Sequence, residues 1–270
     1  MKTTNPNRPD PNNYQTTIVT NTRLSERYFL LEMERPPAFP DPFPGNFIHV
    51  MVPNRQRFFL RRPFSIFDCT GDRLSLLILE RGEGTRLLRH AVPGSRIEFL
   101  GPLGNAFPDL PAKRVIAVAG GVGLAPLYFL AKSRSAETVT LLYGGRTRDD
   151  LFLEGVDLEG MGALLATEDA SYGFPGNVVQ LAGQTAGERG ADALFSCGPH
   201  GMLKSVAALA DRLGLPHYVS LENRMACGFG VCRSCVIRTG DGDATVNRTV
   251  CSDGPVFDAA SVLWDLLPVP

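Results

Sequence analysis

Residues 114–134 read RVIAVAGGVGLAPLYFLAKSR, and this stretch decides the fold. Its first half is an unbroken apolar run without alternation, as expected of a strand buried on both faces. Glycines 120, 121 and 123 end the run, and an apolar helical pattern follows at once. The same strand-then-turn grammar recurs downstream in TVTLLYGGR (138–146), ALLATED (163–169) and ALFSCGP (193–199), and the last leads into a helical HGMLKSVAALADRLG (200–214). Strands alternating with helices call for a parallel sheet covered on both faces. Upstream the grammar differs. Between Tyr14 and Pro108 lie short runs such as QTTIVTNTR, YFLLEME, FIHVMVP, LSLLILE and SRIEFLGPLG, broken by Gly and Pro, which predict an antiparallel barrel or sandwich. The reading is therefore a multi-domain β and α/β chain. It has a flexible polar arm (1–14), a β-barrel domain (15–110), an α/β domain (111–216) and a small C-terminal segment (217–270).

That last segment carries MACGFGVCRSC at 225–235, with a further cysteine at 251. Cys227, Cys232, Cys235 and Cys251 stand in the spacing Cys-x4-Cys-x2-Cys, then fifteen residues, then Cys. This is the plant-type ligand spacing for a 2Fe–2S cluster. A loop wrapped round an inorganic cluster must approach it closely with its backbone, which suits Gly228 and Gly230. Structural zinc and disulfides are the competing readings. Zinc sites usually show two close cysteine pairs, and here only Cys232 and Cys235 form one. Disulfide staples suit small secreted domains, whereas 270 residues can bury a core without them. Cys69 and Cys197 stand outside the set, and Cys69 reads as a structural thiol.

Composition excludes several classes. A net charge of −1, with 44% apolar and 20% charged residues, makes no electrostatic case for nucleic acid or an anionic membrane. No apolar stretch is long enough for a bilayer, and MKTTNPNRPDPNNY lacks a signal-type apolar region. Thiols without an export signal point to the cytoplasm.

Two motifs in the barrel half suggest a bound dinucleotide. Arg62, Pro63, Phe64 and Ser65 follow a β run; the planar Arg62 fork matches pyrophosphate oxygens, and Ser65 can face a flavin edge. Gly82-Glu83-Gly84-Thr85 opens a helical pattern, where backbone amides make an anion site. Each alone reads equally as a strand end or a capped turn; their order strengthens both. In the α/β half, Gly120, Gly121 and Gly123 with Pro126 depart from Gly-x-Gly-x-x-Gly, and a plain strand-to-helix turn is the alternative. Cys197, Gly198 and Pro199 end a later strand, where a buried thiol is the ordinary expectation; His200 falls in the first turn of the next helix. Residues 143–146 and 167–169 are candidate linings for an adenosine. Arg146, Arg148, Asp149 and Asp150 give a mixed signal between NAD and NADP.

Taken together these motifs resemble the ferredoxin–NADP reductase superfamily over residues 15–260. The resemblance implies FAD held by Arg62, Pro63, Phe64, Ser65, Gly84 and Thr85, with Leu77, Ile78 and Leu79 on the strand against the flavin. It implies NAD on Gly120, Gly121, Gly123, Cys197, Gly198 and Pro199, with Cys197 a packing and polarity element. About forty residues surround the cysteines, too few for a separate ferredoxin fold. The runs 221–235 and 250–257 are similar to the electron-transfer subunits of NAD-linked bacterial dihydroorotate dehydrogenases; Asn223-Arg224 departs where that family often has a second acid. Implied with them are an FMN-containing catalytic partner in a heterotetramer, a place in pyrimidine biosynthesis, and a relay role with no catalytic residue assigned. Small subunits of NADPH-dependent ferredoxin or sulfide oxidoreductases, and a redox-sensing module without turnover, are the alternatives. Arg233, between two ligands, reads either as a tuner of cluster potential or as a solvated charge.

Overall fold

The structure is a computed structural model describing residues 12–53, 59–110, 113–134, 138–152, 155–242 and 244–267. The first eleven residues of the expected arm lie outside the described residues. Its last three do not behave as an arm, because Asn12, Asn13 and Tyr14 pair with Gly101, Leu100 and Phe99.

The N-terminal half is a seven-stranded antiparallel sheet. Its strands are β1 (Asn12–Arg23), β2 (Tyr28–Glu34), β3 (Phe47–Val50), β4 (Arg62–Ser65), β5 (Asp68–Thr70), β6 (Arg73–Leu79) and β7 (Arg96–Leu103). They run in the order β4-β3-β7-β1-β2-β6-β5. The two edge strands, β4 and β5, are separated in sequence only by Ile66 and Phe67. Ile66 N–H donates to the Asn46 carbonyl at 3.1 Å and Phe67 N–H to that of Ser75 at 2.9 Å, which draws the edges together and curls the sheet. Phe29, Leu31 and Met33 alternate inward on β2 and are fully buried with Ile18, Ile48 and Phe99. Burial of each such side chain contributes about 1.5–3 kcal/mol. A short helix, α1 (Glu83–Arg89), follows β6.

The second sheet holds β8 (Val115–Gly120), β9 (Val139–Gly145), β10 (Leu164–Thr167), β11 (Phe174–Pro175), β12 (Ala193–Cys197) and β13 (His217–Ser220), all parallel. Strand β8 is buried throughout and shows why its sequence does not alternate. Val115, Ala117 and Ala119 face α2 (Leu124–Ser133) on one side. Ile116 and Val118 face α3 (Val178–Arg189) and α4 (His200–Leu213) on the other. The α2 side also receives the barrel. Phe67 stacks on Tyr128 with centroids 4.2 Å apart, so one continuous core joins the two sheets.

The C-terminal segment is woven into this frame. Residues 217–220, read from the sequence with the cysteine segment, instead pair with β12. Beyond the hairpin β14 (Val236–Asp241) and β15 (Ala244–Thr249), strand β16 (Val256–Asp258) adds antiparallel to β13 and closes the sheet edge. Among the described residues no helix is long and apolar enough to cross a membrane.

His217 gives this sheet a pH dependence. Its Nε2 lies 2.7 Å from Ser196 Oγ, its Nδ1 is buried without a partner among the described residues, and burial pushes its pKa down from 6.5 to about 4. The unfolded chain therefore binds the proton first as pH falls. This contribution to stability is fully present above 6.5 and declines to nothing near 4, a change of about 3 kcal/mol. Urea midpoints measured between pH 7 and pH 4 are expected to fall less steeply in His217→Leu than in the native chain. Equal slopes would show that His217 carries none of this dependence.

Candidate functional site

A cavity of about 430 Å³ opens where the barrel meets the α/β unit. Arg62, Pro63, Phe64 and Ser65 form one wall, on β4 at the end of the strand order. The Arg62 guanidinium is fixed by the carbonyls of Leu60 at 2.8 Å and Arg61 at 3.3 Å. Gly84 is buried at the start of α1, and a Cβ there would stand 3.6 Å from Arg62 Nε, inside the cradle. Thr85 lines the cavity too, but its hydroxyl accepts from the Arg81 and Gly82 amides at 2.9 and 3.1 Å and donates to the Gly82 carbonyl. Its role is to shape the turn. Strand β6 divides as strands must: Leu77 and Leu79 line the cavity, while Ile78 points into the barrel core and is fully buried. Of the three residues expected on the strand against a flavin, Ile78 turns its side chain away from the cavity.

Two further cavities adjoin the first. One of about 290 Å³ is lined by Gly120, Gly121, Gly198 and Pro199, and one of about 650 Å³ runs from Gly120 and Gly121 past Gly145 to Glu168. Gly123 lines none of these three cavities. A Cβ on it would lie 2.3 Å from the Cys197 carbonyl carbon and oxygen and 2.5 Å from Gly198 N, so it locks the two loops together. Cys197 is likewise packed behind the wall, and burial pushes its thiol far up, as suits a packing element and not a nucleophile. His200 begins α4 and stacks on Trp264 at 6.0 Å. Among the mixed charges, the Asp150 carboxylate accepts from the Arg146 and Thr147 amides, each at 3.1 Å, and Arg148 lies over the Tyr172 ring. Arg146 and Glu168 remain on the cavity wall.

The four cysteines are all free thiols and fall into two pairs. Cys235 and Cys251, both buried, have their sulfurs 3.2 Å apart; Cys232 donates its amide to Cys227 Sγ at 3.5 Å. Among the described residues no three His, Cys, Asp or Glu side chains close on a single metal position. A two-and-two arrangement suits a binuclear cluster better than the single tetrahedral centre that zinc requires. Hydrogen bonds from Ser234 push the exposed Cys232 thiol down to about 6. The Cys251 thiol does the same for Cys235, its own pKa rising in exchange. Gly228 and Gly230 have φ of +84° and +91°, the left-handed conformation that glycine adopts at least cost. Cys69 is half-buried against the barrel core with its thiol pushed up to about 11 by burial, and Arg233 is exposed.

Residues 222–263 match the model of the iron-sulfur cluster binding domain of dihydroorotate dehydrogenase B. Over 248 residues the chain is 35% identical to the dihydroorotate dehydrogenase B (NAD(+)) electron transfer subunit of Caldanaerobacter subterraneus subsp. tengcongensis, covering 92% of this chain and 97% of the relative. The subunit of the same description from Geobacillus thermodenitrificans is 38% identical over 256 residues, again covering 92% and 97%. The chain belongs to the family of dihydroorotate dehydrogenase B electron transfer subunits. A solved NADH-dependent reduced ferredoxin-NADP oxidoreductase contains a chain of the same architecture, with TM-score 0.80 and 28% identity over 93% of this chain and 90% of that one. A ferredoxin NADP+ reductase from Neisseria gonorrhoeae, at 17% identity and TM-score 0.61 over 78% of this chain and 94% of its own, shares the fold.

Several wall residues of this family member escaped the sequence reading. Arg81 and Glu222 line both the first cavity and the smaller glycine-loop cavity, and Tyr28 lines the two glycine-loop cavities. The Glu222 side chain is open to the cavity yet deep between the domains; desolvation raises its pKa and Arg81 opposes the rise. Arg81 was detectable, as a cation directly before Gly82-Glu83-Gly84. Tyr28 carried no local signal.

Proposed function

We propose that this chain is the electron-transfer subunit of an NAD-linked dihydroorotate dehydrogenase, holding FAD and a 2Fe–2S cluster between an FMN-containing catalytic subunit and NAD. The observation that carries the reading is the wall of the central cavity. It includes Val122 of the glycine loop on one side and Met225, two residues before Cys227, on the other. Val122 and Met225 would thus place a flavin held in this cavity beside both the glycine loop and the cysteine loop.

The residues fit these groups. Arg62 and the turn at Gly84 suit a pyrophosphate, Leu77 and Leu79 give a ring an apolar face, and the paired thiols suit two irons. When bound, the flavin lets one-electron traffic at the cluster meet the two-electron chemistry of NAD. Two electrons and one proton make a hydride equivalent, and Glu222 is the carboxyl placed to hold that proton. Its raised pKa keeps the proton to higher pH than an ordinary glutamate would. On the outer cavity wall Glu168 disfavours a 2′-phosphate while Arg146 and Arg212 would accept one, so NAD is proposed from the NAD(+)-linked relatives. Phe229 and Val231, exposed beside Cys232, supply an apolar face for the catalytic subunit. The cytoplasm is the proposed setting.

A second reading is the small subunit of an NADPH-dependent ferredoxin or sulfide oxidoreductase, to which the architecture shared with a chain of an NADH-dependent reduced ferredoxin-NADP oxidoreductase, at TM-score 0.80, gives some support. Co-expression with candidate partners separates the two. The proposed chain co-purifies with an FMN barrel subunit, is coloured by FAD and a 2Fe–2S cluster, and supports dihydroorotate-dependent NAD+ reduction. Colourless, zinc-containing protein, or a stable pair with a larger FAD protein instead, would sink it.

A further inference from the structure

One histidine joins the flavin barrel to the cluster loop. His49 lies on β3, directly opposite Pro63 of the Arg62–Ser65 strand, and is fully buried. Its Nδ1 stands 3.3 Å from the carbonyl oxygen of Cys227, 178 residues away in sequence. A carbonyl oxygen only accepts, so Nδ1 is the donor. The ring also lies flush under the next residue: a Cβ on Gly228 would come within 2.5 Å of Nδ1 and 3.2 Å of Cγ and Cε1. The other ring nitrogen, Nε2, is buried near the Arg61 backbone and makes no hydrogen bond of normal geometry among the described residues. A phenyl ring would fill the same space without that cost, so an imidazole here asks for a compensating role.

We propose that His49 is a positioning residue for the cluster, holding the Cys227 end of the ligand loop at a fixed place over the flavin strand through its Nδ1–H and its face against Gly228. The opposite end of the ligand set is tied to the same barrel. Asn105 Nδ2 donates to the carbonyls of Asp253 at 3.2 Å and Val256 at 2.8 Å, while its Oδ1 accepts from Val256 N–H. The barrel therefore grips the loop on both sides, and His49 is the grip nearest a ligand. Loss of its N–H frees the Cys227 carbonyl to turn, which changes the dipoles around the sulfur.

This inference rests on the cluster reading above. Holo protein with His49→Phe, His49→Gln, Gly228→Ala and the double change His49→Ala with Gly228→Ala is compared for FAD content, for the EPR g-values of the reduced cluster, and for iron release to a chelator. His49→Phe is expected to keep FAD at the native level, shift the g-values and release iron about tenfold faster, in line with other outer-shell losses. His49→Gln, which restores a donor, recovers part of the difference. The double variant retains iron better than Gly228→Ala alone, because removing the ring makes room for the new Cβ. Native g-values and iron release in His49→Phe, or a double variant no better than Gly228→Ala, would overturn the proposal. So would a His49→Phe protein that loses FAD together with its iron. Native protein without iron would instead end the cluster reading itself.

Discussion

Cys232→Ser is expected to abolish dihydroorotate-dependent NAD+ reduction by the assembled enzyme while leaving NADH oxidation by an artificial dye within about twofold, as befits separate sites. Cys232 is the ligand best suited to this test. It is exposed, unlike Cys235 and Cys251, which are packed into the core that also holds Phe47, Leu103 and Val250. Serine at 232 removes a thiolate without opening a cavity, so failure to hold iron is separated from failure to fold. Outer-shell changes at metal sites cost roughly 10–100-fold, and losing a ligand outright is expected to cost on the order of 1,000-fold or more in electron flow to the partner. The dye reaction needs only the flavin and glycine-loop cavities, whose walls do not include residue 232. Iron analysis, visible absorbance and the two rates decide the matter. Unchanged dihydroorotate-dependent turnover would remove Cys232 from the relay.

Gly123→Ala is expected to have the complementary effect. Its Cβ would meet three backbone atoms of Cys197 and Gly198 at 2.3, 2.3 and 2.5 Å, and backbone cannot swing aside as a side chain can. Relief requires the glycine loop and the Cys197-Gly198-Pro199 turn to part, which widens the place where a nicotinamide would lie. Overpacking of this kind typically costs 1–3 kcal/mol or more, and a 1 Å misplacement of reacting groups lowers rates by about 100-fold. NADH-to-dye activity should therefore fall by about two orders of magnitude, while iron and FAD contents stay near native. Stopped-flow reduction of the flavin by NADH measures the step directly. A variant with native NADH kinetics would show that this contact does not position the nucleotide.

Some of this was legible in the sequence for definite reasons. The four cysteines proposed as ligands stand out by spacing, because a cluster loop is local and its geometry is written in consecutive residues. Arg62–Ser65 and Gly84, which the structure brings to one cavity wall, stand out as local runs in the same way. Ile78 shows the limit of reading a run as a unit, since strand alternation turns it away from the neighbours that line the cavity. Gly123 shows a second limit: glycine spacing marks it as part of a nucleotide loop, and only the fold reveals that it packs against the backbone of Cys197 and Gly198. Glu222, Arg81 and Tyr28 meet at one place from three distant parts of the chain, and no local pattern announces such a meeting. The pairing of His217–Ser220 was hidden because a four-residue strand after a proline resembles any short connection.

Strand β16 carries a practical lesson for anyone who wishes to cut this chain. Pruning everything after Asn223 to obtain a reductase stripped of iron would also strip the outermost ribbon from the second sheet, leaving β13 with bare amides and carbonyls along its flank. Such a fragment should clump in solution, and the insolubility would be mistaken for a flavin defect. Exchanging cysteines one at a time keeps the ribbon in place. The iron-binding segment is thus a seam in the fabric of the nucleotide sheet: Phe257 of the ribbon and Val219 beneath it share a core with Cys235 and Cys251, so unpicking one unravels the other.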